Sequence, residues 1–413
     1  MSDKSISGTR LIGRLRELGD IGRDGKGRLS RLAATDTDKL GRDLFVSWLR
    51  QAGLEVAVDR IGNIFGIWQL AGSSDERPLL LGSHIDTVIN AGQYDGCYGV
   101  LAGLEVIETL KEDGFKPNRP IAVAAFTNEE GVRFAPDMLG SLVFAGGLGL
   151  NEALAIVGTD GAVLGEELAR IGYAGTEPPG FIMPAAYIEL HVEQGPVLEQ
   201  SRIDIGAVEN LQGISWQRVD IEGVANHAGT TPMAMRSDAG YGAARITTYL
   251  RDLTRDCAGS SVATVGCIEL EPNAINVIPS HASLTVDLRS PSEDWLLKHE
   301  AALETFVETL AEEERLTISV KRLARTIPVK FDDALVHKIV NAAETRGLSV
   351  RRMTSGAGHD AQMIASMAPT AMIFVPSIGG ISHNPAERTA EIDLIRGANV
   401  LLDVVQELSA RVF

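Results

Sequence analysis

Apolar runs and amphipathic segments alternate at both ends of the chain. Apolar residues recur at helical spacing among polar ones over 39–53, and Gly53 is typical of a helix end. The continuous apolar runs 78–82 and 121–126 indicate buried strands, and the segment 101–110 between them indicates a helix. Because strands alternate with helices, the pattern predicts an α/β sheet with helices on its faces.

The middle of the chain has a different order of elements. The pattern predicts, in order, a strand over 214–222, a helix over 237–254, strands over 261–270 and 281–288, a charged amphipathic helix over 293–314 and a final strand over 316–322. The order β-α-β-β-α-β is typical of a ferredoxin-like arrangement.

The α/β pattern returns from about residue 325. A helix, a strand and a C-terminal helix are predicted at 334–346, 371–375 and 391–408. We therefore predict a discontinuous α/β domain, residues 1–212 and 325–413. A ferredoxin-like α+β domain, residues 213–324, is predicted to be inserted into it.

Charge and composition exclude several classes of protein. The 413 residues include 38 Lys+Arg and 55 Asp+Glu, which gives a formal net charge of −17. Because a surface this acidic repels phosphate, we do not expect a nucleic-acid partner. Hydrophobic residues at 45% and charged residues at 23% are ordinary globular values, so the chain as a whole is not disordered, collagenous or a coiled coil.

Cysteine content and hydropathy point to the compartment. The cysteines Cys97, Cys257 and Cys267 are odd in number and too few for a disulfide framework, which fits a reducing environment. The start of the sequence lacks the apolar core of a signal peptide, and no uninterrupted apolar run reaches the roughly 18 residues of a transmembrane helix. We expect a cytoplasmic protein that does not associate with membranes.

Five polar clusters follow predicted strands or lie in glycine-bounded turns. They occupy 82–88 with His84 and Asp86, 90–96 with Asp95, 127–131 with Glu129 and Glu130, 189–196 with Glu189, His191 and Glu193, and 379–385 with His383. Each has an ordinary structural explanation, such as a capping aspartate, a charged loop or a surface turn. Ligand sites of open α/β sheets lie at the carboxyl ends of strands, which favours a functional interpretation.

Taken together, these side chains indicate a metal centre. Alternation over 187–193 places an acid, an imidazole and an acid on one strand face, which is costly to bury without a cation. A mixture of imidazoles and carboxylates suits zinc, manganese, cobalt or nickel. An aspartate shared by two such ions, each with two further ligands, forms a two-metal site that activates water and polarises a carbonyl. Asp86 is placed to fix the tautomer of His84 through its carboxylate.

Eight motifs in order give the chain a family resemblance. They are GSHIDTV, DGCYGV, FTNEEGVRF, LHVEQGP, NHAGTTPM, NVIPSHASLTVDLRS, SGAGHDA and SIGGISHNPAE. The chain resembles, over nearly its whole length, the dinuclear-metal amidohydrolases related to the aminoacylase and carboxypeptidase-G group. It is most similar to the branch that holds N-carbamoyl-L-amino-acid hydrolase, allantoate amidohydrolase and β-ureidopropionase.

The resemblance implies a role for each candidate residue of the α/β domain. His84, Asp95 and His191 would hold one metal, and Asp95 would also hold the second metal, together with Glu130 and His383. Glu129 would be the general base that takes a proton from the bridging water. We expect His359 and Asp360 to be structural or to support the ligands rather than to form a further site.

The resemblance also implies substrate contacts and an assembly. His227 would stabilise the oxyanion, reaching the site of a partner subunit, while Asn276 and Arg289 would bind the substrate carboxylate and Gln194 the ureido or amide group. The inserted domain would act as a lid and as the interface of a homodimer. Without the resemblance, a surface salt bridge explains Arg289, and His227 in its loop before the helix 237–254 needs no task.

The implied reaction is hydrolysis of an N-carbamoyl-L-amino acid, a small anionic ureido compound, to the amino acid, ammonia and carbon dioxide. Alternatives are an allantoate, ureidoglycolate or β-ureidopropionate amidohydrolase, an N-acyl-amino-acid amidase or dipeptidase, and an inactive metal-binding relative. Allantoate-type members often carry a basic residue near Ser215 and Trp216, which weighs against allantoate. Ala91 stands where the family often has a second glycine, so the turn before Asp95 is expected to differ.

Overall fold

The computed structural model describes residues 4–70, 76–255 and 261–410, so Cys257 lies outside the described residues. The chain divides into two compact units. The larger unit combines Met1–Glu209 with Phe331–Phe413, and the smaller unit is Asn210–Lys330.

The first segment of the larger unit alternates helices and strands. Its helices are α1 (Gly8–Asp20), α2 (Asp36–Gln51), α3 (Cys97–Glu112), α4 (Leu139–Phe144), α5 (Leu150–Leu154), α6 (Leu164–Ile171) and α7 (Val197–Ser201). Its strands are β1 (Glu55–Val58), β2 (Ile64–Trp68), β3 (Leu79–His84), β4 (Ile121–Phe126), β5 (Ala186–Val192) and β6 (Ile205–Leu211). Side-chain caps explain where the first two helices begin: Ser7 accepts the N–H of Arg10, and Thr35 accepts the N–H of Asp38.

The smaller unit contains an antiparallel sheet and two long helices. Its elements are β7 (Gly213–Glu222), β8 (Asn226–His227), α8 (Ala239–Leu253), β9 (Val262–Thr264), β10 (Ile268–Glu271), β11 (Val277–Ile278), β12 (His281–Ser290), α9 (Glu293–Glu314), β13 (Thr317–Thr326) and β14 (Val329–Lys330). The main strands lie in the order β10-β12-β7-β13, and β9 also pairs with β12. This is the strand order of a ferredoxin-like sheet. The strand predicted over 261–270 is interrupted: β9 and β10 both pair with β12, and the regular pairing breaks between Thr264 and Ile268.

The core of the smaller unit follows from strand alternation. Residues of β7 and β12 that point to the same face are buried, and they pack against apolar residues of α8 and α9. The buried set includes Val219, Ile221, Leu284, Val286, Ile246, Leu250, Leu303 and Leu310. The opposite face of the sheet carries Trp216, which is 42% exposed.

The last segment returns to the larger unit. Its elements are α10 (Asp333–Thr345), β15 (Val350–Ser355), α11 (Asp360–Ile364), β16 (Thr370–Val375) and α12 (Glu391–Ser409). Among the described residues of the whole chain, the helices are all too short or too polar to cross a membrane.

The sheet of the larger unit has a parallel centre. Its strands lie in the order β1-β2-β4-β3-β5-β16-β6, and β15 also pairs with β6. The central pairs β4–β3, β3–β5 and β5–β16 are parallel, whereas β2–β4 and β16–β6 are antiparallel. All residues of the four central strands are buried, as the apolar runs at 78–82, 121–126 and 371–375 predict for three of them. The predicted α/β class is confirmed, and the parallel strands end at one edge of the sheet.

Candidate active site

Two histidines reach the same edge from neighbouring strands. His84 is the last residue of β3, and His191 lies next to the end of β5. The Nδ1 atom of His84 is 3.0 Å from the backbone carbonyl oxygen of Asp86, and Nδ1 of His191 is 2.8 Å from that of Val192. A carbonyl can only accept, so each ring carries a proton on Nδ1, and Nε2 is the nitrogen that faces the site.

Asp86 has a different role from the one predicted. Its carboxylate is 3.9 Å from Nδ1 of His84, too far for a hydrogen bond, and the tautomer is set by the backbone carbonyl of Asp86 instead. The carboxylate accepts the backbone N–H groups of Glu129 and Glu130 at 3.2 and 3.3 Å. Asp86 therefore holds the segment after β4 rather than the imidazole.

The carboxylate of Asp95 divides the site into two groups of ligands. Its Oδ1 lies 3.6 Å from Nε2 of His84 and 3.2 Å from Nε2 of His191. Its Oδ2 lies 3.2 Å from Nε2 of His383, which is itself 3.4 Å from Oε2 of Glu130. Within each group the candidate ligand atoms lie within 4.8 Å of one another. Asp95 belongs to both groups, which is the arrangement of a bridging carboxylate.

The turn that carries Asp95 depends on one glycine. Gly96 has φ 63°, and a Cβ there would lie 2.4 Å from ring atoms of His84. Its N–H donates to Nε2 of His191 at 3.0 Å. Ala91 does not need a positive φ, because Asn90 takes the left-handed conformation, with φ 59°. Asn tolerates this conformation better than most residues.

Glu129 and Glu130 follow β4 and are largely removed from water. Burial raises the pKa of Glu129 well above its ordinary value, against the opposing effect of His84. Burial and then the charge of Asp95 raise the pKa of Glu130 to about 8. Glu129 Oε2 lies 3.4 Å from Nε2 of His84. The excess of buried carboxylates over cations is a cost that bound divalent ions would offset.

The donor set therefore fits two divalent ions. Imidazole nitrogens and carboxylate oxygens meet at 3.2–3.6 Å, and within each group the candidate ligand atoms are close enough to share an ion. The hydrogen bond to Asp95 and then the charge of Glu130 raise the pKa of His383 to about 9, against burial. Two other groups, His84 with Glu129 and Glu130, and Glu189 with His191 and His359, are also close enough to share an ion.

Gln194 presents an unpaired oxygen beside Asp95. The residue has φ 58°, and its backbone N–H donates to Oγ of Ser377 at 3.0 Å. Its Nε2 donates to Oδ2 of Asp95 at 2.7 Å. Its Oε1 is buried and has no hydrogen-bond partner, which is costly unless a ligand supplies a donor.

Glu189 and Glu193 do not act as a pair. Glu189 is buried behind the site, where it accepts hydrogen bonds from Ser83 Oγ at 2.7 Å and from the backbone N–H of Ala361 at 2.8 Å. Glu193 lies beyond the end of β5 and accepts the N–H groups of Val197 and Leu198 at the start of α7. The prediction of three polar residues on one strand face is thus wrong for Glu193.

His359 lies directly behind His191. The ring centroids of the two histidines are 4.6 Å apart, and Nε2 of His359 is 3.1 Å from Oγ of Ser355. Burial lowers the pKa of His359 well below its ordinary value, so the ring is neutral. Asp360 begins α11 and accepts a hydrogen bond from Oγ of Ser141 at 2.6 Å.

The sequence interpretation missed a buried arginine. The guanidinium of Arg31 donates to the carbonyl oxygens of Leu18, Ile21 and Ile85, each at 2.8 Å, and its Nη2 is 3.2 Å from Sγ of Cys97. Arg31 therefore connects Ile85, which follows His84 at the end of β3, to Cys97, the first residue of α3. No motif marks it, because its partners are backbone atoms distant in sequence.

The smaller unit carries the remaining predicted residues. His227 lies in β8 rather than in a loop, is exposed, and accepts the N–H of Gly229 on Nδ1 at 3.0 Å. The carbonyl of Asn276 accepts the N–H of Ala228 at 2.9 Å, so these two segments are neighbours. Arg289 lies within β12, not after a strand, and forms an ion pair with Asp287 at 3.0 Å.

A mixed sheet with a parallel centre, and imidazoles and carboxylates gathered at the carboxyl ends of its central strands, are the features expected of a hydrolase with a metal centre. The chain belongs to peptidase family M20/M25/M40, which it matches over residues 80–407. The predicted family is confirmed, and with it the prediction of a hydrolase.

Relatives align with the chain from end to end. An N-carbamoyl-L-amino-acid amidohydrolase of Rhizobium meliloti is 40% identical over 98% of this chain and 97% of its own length. Allantoate amidohydrolase of Escherichia coli strain K12 is 35% identical over 95% of this chain and 96% of its own length. The crystal structure of an amidase of the hydantoinase/carbamoylase family from Burkholderia multivorans superposes with a TM-score of 0.96, at 43% identity, over 100% of both chains.

Proposed function

We propose that this protein is a metal-dependent amidohydrolase that cleaves the linear C–N bond of an N-carbamoyl-L-amino acid, giving the amino acid, ammonia and carbon dioxide. The observation that supports it most strongly is the division of the two oxygens of Asp95 between two groups of ligands. Four relatives named N-carbamoyl-L-amino-acid amidohydrolase, at 33–40% identity, support this substrate class.

The ligand sets follow from the shared aspartate. His84, Asp95 and His191 hold one divalent transition-metal ion, and Asp95, Glu130 and His383 hold the other. Zinc, manganese, cobalt and nickel all suit these donors. When bound, two such ions polarise the ureido carbonyl and lower the pKa of a water molecule.

Glu129 is the general base in this proposal. Its carboxylate belongs to neither ligand set, yet Oε2 lies 3.4 Å from Nε2 of a proposed ligand, His84. Asp86 holds the backbone N–H of Glu129, so the carboxylate is directed by the chain rather than by a metal. Glu129 takes a proton from water and delivers it to the leaving nitrogen.

Polar side chains outside the ligand sets bind the substrate. The unpaired Oε1 of Gln194 accepts a ureido N–H. Arg289 and Asn276 bind the α-carboxylate, for which a guanidinium is well suited. His227, whose Nδ1 accepts backbone N–H groups, offers Nε2–H to the oxyanion.

The smaller unit serves as a lid and forms a homodimer in this proposal, so that His227 acts in the site of the partner subunit. Lid closure excludes water and completes the site. We further propose a cytoplasmic location, which the two described cysteines, both unpaired, support.

The proposal is tested with a panel of N-carbamoyl-L-amino acids, N-acyl-L-amino acids, allantoate, ureidoglycolate and β-ureidopropionate. Ammonia or amino-acid release is measured with added Mn²⁺, Co²⁺ or Zn²⁺. We expect the highest kcat/KM on an N-carbamoyl-L-amino acid. A higher value on allantoate or an N-acyl compound contradicts the substrate class, and no turnover of any compound by metal-loaded protein contradicts the activity.

A further inference from the structure

A buried carboxylate outside both ligand sets connects the chain segments that carry Asp95 and His383. Glu387 is 5% exposed. Its Oε1 accepts the backbone N–H of Tyr94 at 2.8 Å, and its Oε2 accepts a hydrogen bond from Oγ of Ser382 at 3.2 Å. Tyr94 precedes Asp95 and Ser382 precedes His383, so one side chain holds the residue before each of two proposed ligands.

Ser382 extends this connection to the shared carboxylate itself. Its Oγ is 3.2 Å from Oδ2 of Asp95 as well as from Glu387. Nε2 of Gln194 donates to Ser382 Oγ at 3.3 Å. A hydroxyl has one hydrogen to donate, so Ser382 donates to one carboxylate at a time while it accepts from Gln194. The position of Asp95 Oδ2, the oxygen that faces His383, therefore depends on how Ser382 is held.

The packing shows that the chain makes room for this carboxylate. A Cβ at Gly92 would lie 2.2 Å from Oε1, 2.3 Å from Cδ and 2.4 Å from Cβ of Glu387. Gly92 does not have a positive φ, so its backbone conformation is open to other residues. The close approach of Glu387 to the turn 92–95 is therefore what requires a glycine at position 92.

We infer that Glu387 is a positioning residue that fixes Asp95 relative to His383 and so sets the affinity of the second ligand set for its ion. This inference rests on the proposed two-metal function. Residues that orient metal ligands through hydrogen bonds typically change metal affinity or activity by about 10–100-fold when they are removed.

Three variants separate this role from a general effect on folding. Glu387→Ala removes both hydrogen bonds, and Gly92→Ala displaces the carboxylate by steric contact without changing it. Glu387→Gln keeps the size, accepts from Tyr94 with its oxygen and donates to Ser382 with its nitrogen. Gly13→Ala is the matched control, because a Cβ at Gly13, in α1, meets nothing within 4 Å.

Metal-free full-length protein is titrated with Co²⁺, and binding is measured by calorimetry and by the visible absorption of the bound ion. Thermal unfolding verifies that each variant is folded. For Glu387→Ala and Gly92→Ala we expect one of two ions to bind about 10–100-fold more weakly, with kcat reduced and KM within about threefold of the original protein. We expect Glu387→Gln to restore at least most of the affinity, and Gly13→Ala to bind like the original protein.

The outcomes distinguish the inference from the proposed function. If the unaltered protein binds no Co²⁺, the two-metal function itself fails. If it binds two ions and Glu387→Ala or Gly92→Ala binds both with unchanged affinity, the positioning role is wrong while the function stands. The positioning role is also wrong if Glu387→Gln binds as weakly as Glu387→Ala, because hydrogen bonding would then not explain the loss.

Discussion

Replacement of Glu129 by glutamine separates metal binding from proton transfer. The amide has nearly the size of the carboxylate, and the backbone contacts of residue 129, to Asp86 and from the N–H of Met138, are unaffected. Glu129 belongs to neither proposed ligand set, so both ions are expected to stay bound. Only the group that accepts and returns a proton is lost.

The expected loss follows from the position of this carboxylate. A positioned general acid–base group contributes about 10²–10⁴-fold to rate. We therefore expect kcat of Glu129→Gln to fall by about 10²–10⁴-fold, which corresponds to about 3–5 kcal/mol of transition-state stabilisation. KM should change little, because in the proposal the substrate carboxylate is bound by other residues.

The free energy of unfolding of Glu129→Gln should rise although its activity falls. Burial raises the pKa of Glu129 in the metal-free fold, so ionising it costs free energy as the pH rises above the ordinary value of 4.5. Glutamine does not ionise. Metal-free Glu129→Gln should thus be more stable than the original protein above that pH, and the difference should vanish in acid.

The assay combines metal analysis, ammonia release and chemical denaturation at several pH values. Glu130→Gln is the contrasting variant, since it alters a proposed ligand and should lose one ion. Glu152→Gln is the inert control, because Glu152 is exposed. Turnover of Glu129→Gln within tenfold of the original would refute the reasoning, and so would loss of an ion from that variant.

Three further predictions concern stability and metal content. Arg31→Met removes the guanidinium donor from the buried carbonyls of Leu18 and Ile85 and from the partly buried carbonyl of Ile21, so denaturation should show a loss of about 3–5 kcal/mol; a loss below about 1 kcal/mol contradicts the role of its guanidinium. Gly96→Ala should reduce bound metal, because the new Cβ meets the ring of His84, whereas Gly146→Ala, at φ 78° with open space around it, should not; equal metal content in the two variants argues against this. Chelation should lower the apparent free energy of unfolding by about 2.7 kcal/mol for each ion whose free concentration was 100 times its Kd. Added Co²⁺ should restore the original stability, and unchanged stability after chelation contradicts a metal linked to folding.

Elements that bury a continuous apolar surface could be predicted from the sequence. The strand 121–126 and the helix 293–314 have the bounds that the pattern indicates. The helix begins where Ser292 accepts the N–H of Trp295, and such caps are visible in sequence. Three apolar runs, at 78–82, 121–126 and 371–375, together with the helices that alternate with them, suffice to predict the α/β class.

Elements that depend on distant partners could not be predicted in this way. The strand 55–58 is short and partly exposed, and it becomes a strand by pairing with 64–68. Its alternation is too brief to distinguish a strand from a loop. The segment 261–270 has a strand-like composition, yet its regular pairing with β12 breaks near Gly266.

The candidate site shows the same division. Because parallel strands bring their carboxyl ends to one edge, His84, Glu130 and His191 could be gathered from the sequence alone. The division of the oxygens of Asp95 between two groups needs the turn that Gly96 makes possible. Glu387 could have been suspected only as the last residue of the motif SIGGISHNPAE, since one of its two partners, Tyr94, lies 293 residues away in the chain.

The central claim is that two ions held around Asp95 hydrolyse a ureido substrate. Its most direct test is ammonia release from an N-carbamoyl-L-amino acid by metal-free protein as Co²⁺ is added in measured equivalents. We predict no release without metal and a rise in rate that ends at about two equivalents per chain. Full activity in the metal-free protein, or none at any equivalence of Co²⁺, Mn²⁺ or Zn²⁺, would contradict the account.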